Sequence, residues 1–206
     1  MGKKPWGRRR VSTLKGSLFG VALIAFSTVA QAGWQDDATP FDANRIAKID
    51  EARAKGLAEA QSGADFGKIQ AVLETSAEPT SEHDLTGNWR CRTMKLGGIT
   101  PDVVYGWFDC RVTYKNDGLT FEKLTGSQLV SGRLYPRSEG TYVFLGASRV
   151  KGEPMHHYSG NHGSAGAAAT PDDVAGVLTT TGLNRARVEF PYPLQESTFD
   201  VIELKR

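Results

Sequence analysis

Cysteine, methionine and histidine are scarce in this chain, whose 206 residues include two, three and four of them respectively. The two cysteines, Cys91 and Cys110, do not form the C-x-x-C pair of a dithiol oxidoreductase, and a metal site built on them would need two more ligands close by. No glycine-rich loop ends in the Lys-Ser/Thr that cradles nucleotide phosphates, and no dinucleotide fingerprint follows a predicted strand. Nucleotide-dependent chemistry is therefore not expected. His162-Gly163-Ser164-Ala165-Gly166 comes near a nucleophile elbow, but histidine stands where that motif begins with glycine. The setting is also a Gly/Ala-rich loop rather than the strained strand-to-helix turn that exposes the serine. The apolar run from Leu18 to Ala30 is too short for a comfortable membrane span. Neither sign of charge dominates, with 25 basic and 23 acidic residues.

What the chain does have begins at its start. Lys3, Lys4, Arg8, Arg9, Arg10 and Lys15 precede the apolar run, and Ala30-Gln31-Ala32 follows it. A basic region, an apolar region and an A-x-A site are the three parts of a secretory signal, so residues 1–32 read as a Sec-type signal peptide cleaved after Ala32. An uncleaved anchor would leave the small-residue site without purpose. Ser12 and Thr13 argue against a twin-arginine route, since bulky apolar residues usually follow that arginine pair. Cleavage removes six basic and no acidic residues, taking the formal charge from +2 to −4. The mature protein is then periplasmic or secreted, keeps no integral membrane segment, and has no charge excess that would suit nucleic acid.

Residues 33–83 read as a helical N-terminal segment with a linker. Phe41, Ile46, Ile49, Ala52, Ala54 and Leu57 recur near helical spacing between Pro40 and Ala60, with Asp42 as N-cap. A second helix is predicted over Ala64–Thr75, and Ser76–His83 connects it onward. Residues 84–206 change to short alternating runs separated by turn residues, and about eight strands are predicted. These lie near Leu85–Met94, Val104–Tyr114, Leu119–Thr125, Gln128–Tyr135, Thr141–Val150, Val174–Thr181, Arg185–Phe190 and Phe199–Leu204. Asn116-Asp117-Gly118 is a hairpin signal between the second and third. The expected fold is mainly β: an antiparallel, calycin-like barrel of about eight strands preceded by two helices.

Residues two apart on a strand share a face. Leu85, Gly87, Trp89 and Cys91 therefore form one set, and Val104, Gly106, Phe108, Cys110 and Val112 a matching one, with both thiols pointing inward. In an oxidising compartment this predicts a structural disulfide between Cys91 and Cys110, closing a loop of about 20 residues worth ~3 kcal/mol.

The opposite face of the same strands carries Arg90, Arg92, Tyr105, Trp107, Asp109 and Arg111. A binding patch for an anionic or aromatic ligand is one reading, with Arg90, Arg92, Tyr105, Trp107 and Arg111 as its residues, because arginine grips carboxylate or phosphate through a planar fork. Stacking of the arginines on the rings, pairing with Asp109, or cover from the helices are the alternatives. A second candidate is the loop from Lys151 to Asp173, where His156, His157 and His162 offer metal-ligating nitrogens beside Met155. Adjacent histidines on extended chain point to opposite sides, so this would not be a preformed site. Glu196 and Asp200 are a further possible carboxylate pair, though isolated surface acids are commoner.

Gly87-Asn88-Trp89 resembles the G-x-W signature of lipocalin and avidin-like barrels. There a tryptophan closes one barrel end, and Lys205 or Arg206 on the last strand would be its counterpart. A longer pattern is similar to an uncharacterised family of exported bacterial proteins, a domain of unknown function. It rests on Trp89-Arg90-Cys91-Arg92, Lys95-Leu96-Gly97-Gly98, Tyr105-Gly106-Trp107-Phe108, Thr125-Gly126-Ser127-Gln128, Tyr142-Val143-Phe144-Leu145-Gly146 and Asp200-Val201-Ile202-Glu203-Leu204. That resemblance implies an envelope protein and brings no catalytic residues or cofactor with it. The expectation is a non-catalytic barrel module that binds an unknown small ligand or an envelope protein. A metal-assisted hydrolase using the His156–His162 loop, and an envelope protease inhibitor or assembly factor, are the alternatives.

Overall fold

The computed structural model describes residues 1–3, 33–115, 118–160 and 168–206, so residues 4–32 of the expected signal segment, the Asn116-Asp117 turn and His162 lie outside the described residues. The described residues from 33 onward form one compact unit. Among the described residues five helices come first: α1 (Trp34–Asp37), α2 (Pro40–Ala47), α3 (Ile49–Ala60), α4 (Phe66–Glu74) and α5 (Glu82–Leu85). Nine strands follow: β1 (Gly87–Leu96), β2 (Asp102–Val104), β3 (Phe108–Lys115), β4 (Gly118–Lys123), β5 (Gln128–Ser138), β6 (Thr141–Val150), β7 (Asp173–Thr180), β8 (Arg185–Pro191) and β9 (Phe199–Lys205). The order is β2-β1-β3-β4-β5-β6-β7-β8-β9, and β1 also pairs with β9, so β1 and β3 to β9 close into an antiparallel barrel with β2 as an addition to it. Closure leaves no free edge around the barrel's girth.

The run expected as one strand from Val104 to Tyr114 is two, β2 and β3, which share one edge of β1. Cys91 lies opposite Phe108 and Met94 opposite Val104, so three steps along β1 face four along its partner. The extra residue is absorbed in Tyr105–Trp107 as a bulge, and it reverses which side the chain presents. Val104 consequently packs against the outer core, while Phe108, Cys110 and Val112 turn into the barrel. Its expected place in the inward set is corrected by this bulge.

Two apolar clusters result, one on each side of the barrel wall. Inside lie Trp89, Cys91, Cys110, Phe121, Phe144, Leu178, Val188, Phe190 and Leu204 with their neighbours. The rings of Phe121, Phe144 and Phe190 meet edge to face at 5.9 Å centroid spacing. Inward-facing Gly132 and Gly146 lie opposite each other on β5 and β6 and give room to Phe144: a Cβ on Gly146 would come within 2.5 Å of that ring. Outside, Met94, Leu96, Val143, Leu145, Val177, Phe199 and Val201 are covered by Ile46, Ile49, Ala52, Ile69 and Leu73 of the helices. Strands with both faces covered read as continuous apolar runs, as Tyr142 to Ala147 does.

The helices hold this position through close approach and buried polar contacts. Gly56 lets α3 lie on β9, since a Cβ there would come within 2.7 Å of Phe199 Cβ. The helix expected from Pro40 to Ala60 is interrupted at Lys48 (φ −97°, ψ 18°), and Ile46 and Ile49 on either side of the break both reach the core. The N-cap is Thr39 rather than Asp42. Thr39 Oγ1 accepts from Asp42 N at 3.1 Å, and Pro40 opens the first turn. Asp42 is instead fully buried, 2.7 Å from Arg45 Nε and receiving the Tyr158 hydroxyl at 2.6 Å. Arg45 also donates to the Asp173 carbonyl at 3.0 Å, which fastens α2 to the start of β7. On the wall beneath α3, Arg53 grips the buried Glu189 through Nε and Nη2, at 2.9 and 3.0 Å.

Candidate functional site

The two ends of the barrel differ in how they are filled. At one end α5 delivers Leu85 under the sheet, and Trp89 donates from Nε1 to the Leu85 carbonyl at 2.9 Å. The Arg206 guanidinium lies 3.9 Å from the Trp89 ring centroid and donates to the Leu85 carbonyl at 3.1 Å and to the Thr86 carbonyl. Of the two expected counterparts of this tryptophan, Arg206 takes the place. The Cys91–Cys110 disulfide, with Cα atoms 5.8 Å apart, ties β1 to β3 just above it. Side chains fill this half completely enough that both cysteines are essentially without exposure.

Toward the other end, the same inward positions become polar. Thr93 and Lys95 continue the inward line of Trp89 and Cys91. Lys123 continues that of Leu119 and Phe121, and Asp200 that of Ile202 and Leu204. Here the interior opens into a cavity of about 290 Å³, lined by these four with Ile202, Val130, Ser148, Val174 and Phe190. The β8–β9 connection supplies Leu194 and Glu196 to its rim, and Glu196 adopts a left-handed backbone (φ 69°). Exposed Leu124, Val150 and Leu194 follow or border strand ends on this side.

The charged groups of the cavity are not equivalent. Lys95 lies opposite Asp200 across the β1–β9 ladder and donates to Glu196 Oε2 at 2.5 Å. Burial alone would lower its pKa, but the Glu196 hydrogen bond and the charges of Asp200 and Glu196 outweigh that and leave it above the usual lysine value. Asp200 accepts from Ser197 Oγ at 2.5 Å, yet burial pushes its carboxyl up to about 6 despite that bond and Lys95. Lys123 Nζ donates to the Gln128 carbonyl at 2.5 Å and lies 4.4 Å over the Phe108 ring. Burial, and then the charge of Lys95, hold its ammonium below the usual lysine value.

The residues singled out in the sequence lie elsewhere. Arg90, Arg92, Trp107 and Arg111 share the barrel's outer face near the closed end. Arg90 pairs with Asp109 at 2.8 Å and donates to the Trp107 carbonyl at 3.0 Å, while Arg92 pairs with Glu203 at 2.6 Å. The Trp107 ring has two cations over it, Arg92 at 4.7 Å and Lys205 at 4.2 Å. Arg111 reaches Asn88 at 3.2 Å, and Tyr105 is exposed in the bulge. In the 151–173 connection, His156 Nδ1 lies 3.1 Å from Asp172 and 3.2 Å from the Ser148 carbonyl, and His157 is exposed. Among the described residues no group of three metal-ligating side chains comes together. Glu196 and Asp200 both border the cavity beside Lys95, with Glu196 exposed at its rim and Asp200 on the inward line of its strand. The overlooked residues are Lys95 and Lys123, and their signal was parity: Lys95 stands four positions beyond Cys91, and Lys123 two beyond Phe121.

Among the described residues no helix is long and apolar enough to cross a membrane. Residues 34–204 match the family described as Domain of unknown function (DUF4893). No curated protein and no solved structure matches the chain.

Proposed function

The chain belongs to the DUF4893 family, a domain of unknown function, and for this member we propose a non-catalytic role as an exported barrel that takes up a small ligand at its open end. The observation that carries the reading is the uneven filling of the interior: one half is packed by Trp89, Phe121, Phe144 and the disulfide, and the other is left as a cavity of about 290 Å³. Pockets that combine apolar walls with a few converging polar groups, at the mouths of barrels, are habitual ligand sites. Export is supported by the basic, apolar and A-x-A sequence of the first 32 residues, and it agrees with a disulfide-bonded interior.

Thermal-shift screening of the oxidised protein recovered from the envelope of its host tests the ligand reading, using lipids, sugars, amino acids and haem-like compounds. At least one class raises the melting temperature, and Val174→Phe, which fills the cavity, abolishes the rise. No shift from any class, or a shift that survives Val174→Phe, counts against the site. Intact mass of the same preparation bears on export: it begins at Gly33 if the signal is cleaved as expected, and a retained first segment speaks against cleavage there.

A further inference from the structure

Resting on that reading of the open end, we infer that the ligand is a small organic anion, its carboxylate or equivalent oxyanion held by the Lys123 ammonium and its apolar body by Val130, Val174, Phe190 and Ile202. Lys123 is only 7% exposed and faces the cavity. An ammonium has three donors, and here one is spent on the Gln128 carbonyl while the Phe108 ring covers one side. Among the described residues no carboxylate lies within 4.0 Å of it.

Several other buried or half-buried cations have a carboxylate: Arg45 has Asp42, Arg53 and Arg187 have Glu189, and Arg92 has Glu203, whereas Arg149, half-buried at the cavity, donates to the Glu153 carbonyl. The acids bordering the cavity are engaged elsewhere. Glu196 is taken by Lys95, Asp200 by Ser197, Asp172 by His156, Asp173 by the Ser159 and Thr170 amides, and Glu153 by the Val150 amide. A buried charge without a counter-charge is costly, and a bound anion offsets that cost in a way no neutral ligand does. The depressed Lys123 pKa has the direction expected of a cation that lacks its counter-charge.

Size and polarity narrow the class further. A cavity of about 150 Å³ is enough to hold benzene. The 290 Å³ present here leaves room for a ring or short chain together with an acidic group. Val130, Val174, Phe190 and Ile202 supply apolar walls, and Leu194 and Val150 extend them to the rim. A highly charged ligand such as a nucleotide would leave most of its charge against these walls.

Isothermal titration of the full chain tests the inference with matched acid and amide pairs: hexanoate and hexanamide, benzoate and benzamide, 3-phenylpropionate and its amide. In at least one pair the acid binds about tenfold or more tightly than the amide, the increment expected of one charge-assisted hydrogen bond. Lys123→Met removes that preference while the amide's Kd stays within about threefold, and the unliganded variant melts no lower than the natural chain. If acids and amides bind alike, or the preference survives Lys123→Met, the anion assignment falls and the cavity remains a ligand site. If no member of any pair binds, the anion assignment falls too, and the thermal-shift screen decides separately whether the site exists. The contrast between acid and amide in the natural chain needs no variant, so it stands even if Lys123→Met does not fold.

Discussion

Asp200→Asn is expected to change how stability depends on pH, because the folded barrel disfavours the ionised form of this carboxyl. The side chain faces the interior from β9, opposite Lys95, and its hydrogen bond comes from Ser197. Burial places its pKa at about 6, against an ordinary 3.8. Below the ordinary value the group is protonated in both folded and unfolded chains, and the stability associated with the neutral carboxyl is fully present. As the pH rises through this window the unfolded chain ionises first, so stability is lost until the folded group has also ionised at about 6. One pKa unit is worth about 1.4 kcal/mol, which makes the loss about 3 kcal/mol, or roughly 6–12 °C in melting temperature for a domain of this size. Asparagine keeps an acceptor for Ser197 and cannot ionise. Urea unfolding of both proteins at intervals from pH 4 to 8, with the disulfide intact, measures the difference directly. The variant should gain roughly 2 kcal/mol on the natural chain between pH 4 and 7, the rest of the difference lying below pH 4, and hold it thereafter. Parallel profiles would refute the reasoning, and a variant that loses ground as the pH rises would mean that Lys95 and Ser197 stabilise the carboxylate more than burial penalises it.

Three further outcomes follow from the packing. The disulfide closes a separation of 19 residues, so Cys91→Ala with Cys110→Ala should cost about 3 kcal/mol in urea unfolding, and reductant should act on the natural chain no faster than it unfolds, since both sulfurs are buried. Arg206→Ala should cost about 2–3 kcal/mol by the same assay, because it removes the cation over Trp89 and the donors to Leu85 and Thr86, whereas Lys205→Ala, which uncovers only one side of Trp107, should cost less than about 1 kcal/mol. Equal costs would remove Arg206 from its role at the closed end. Gly146→Ala should lower stability by about 2 kcal/mol or more, since its Cβ would stand 2.3 Å from the Ser131 carbonyl and 2.7 Å from Gly132 Cα, both backbone atoms that cannot swing aside. A neutral result would show that β5 and β6 separate more easily than this register implies.

Much of the wall was legible in the chain because its signals are local. Alternation placed Trp89 and Cys91 inside and Arg90 and Arg92 outside, turn residues marked the strand ends, and the chain's two cysteines had only each other as partners. The bulge at Tyr105–Trp107 was not legible. It depends on how many residues of β1 the chain must match, which is a property of the pair and not of either segment. The helix break at Lys48 and the burial of Asp42 have the same origin, since both answer to the sheet surface on which α2 and α3 lie. On the outer patch, periodicity brought Arg92 and Trp107 together correctly, yet it could not show Glu203 and Lys205 beside them, because these arrive only when β9 closes on β1.

The cavity marks that division most clearly. Local sequence determined that this is a barrel-forming chain, with a disulfide across its first strands and a Trp–Arg contact available to seal one end. It also determined, through parity alone, that Lys95, Lys123 and Asp200 lie on inward lines. Only the tertiary structure decided that the three meet in one cavity, because they come from β1, β4 and β9 and are united by closure of the barrel rather than by proximity along the chain. Closure also decided their surroundings, giving Lys95 a carboxylate partner, raising the Asp200 pKa by burial, and leaving Lys123 with a carbonyl and a ring but, among the described residues, no carboxylate. Charge pairing is a matter of a few ångströms between distant segments, and no pattern within a segment encodes it.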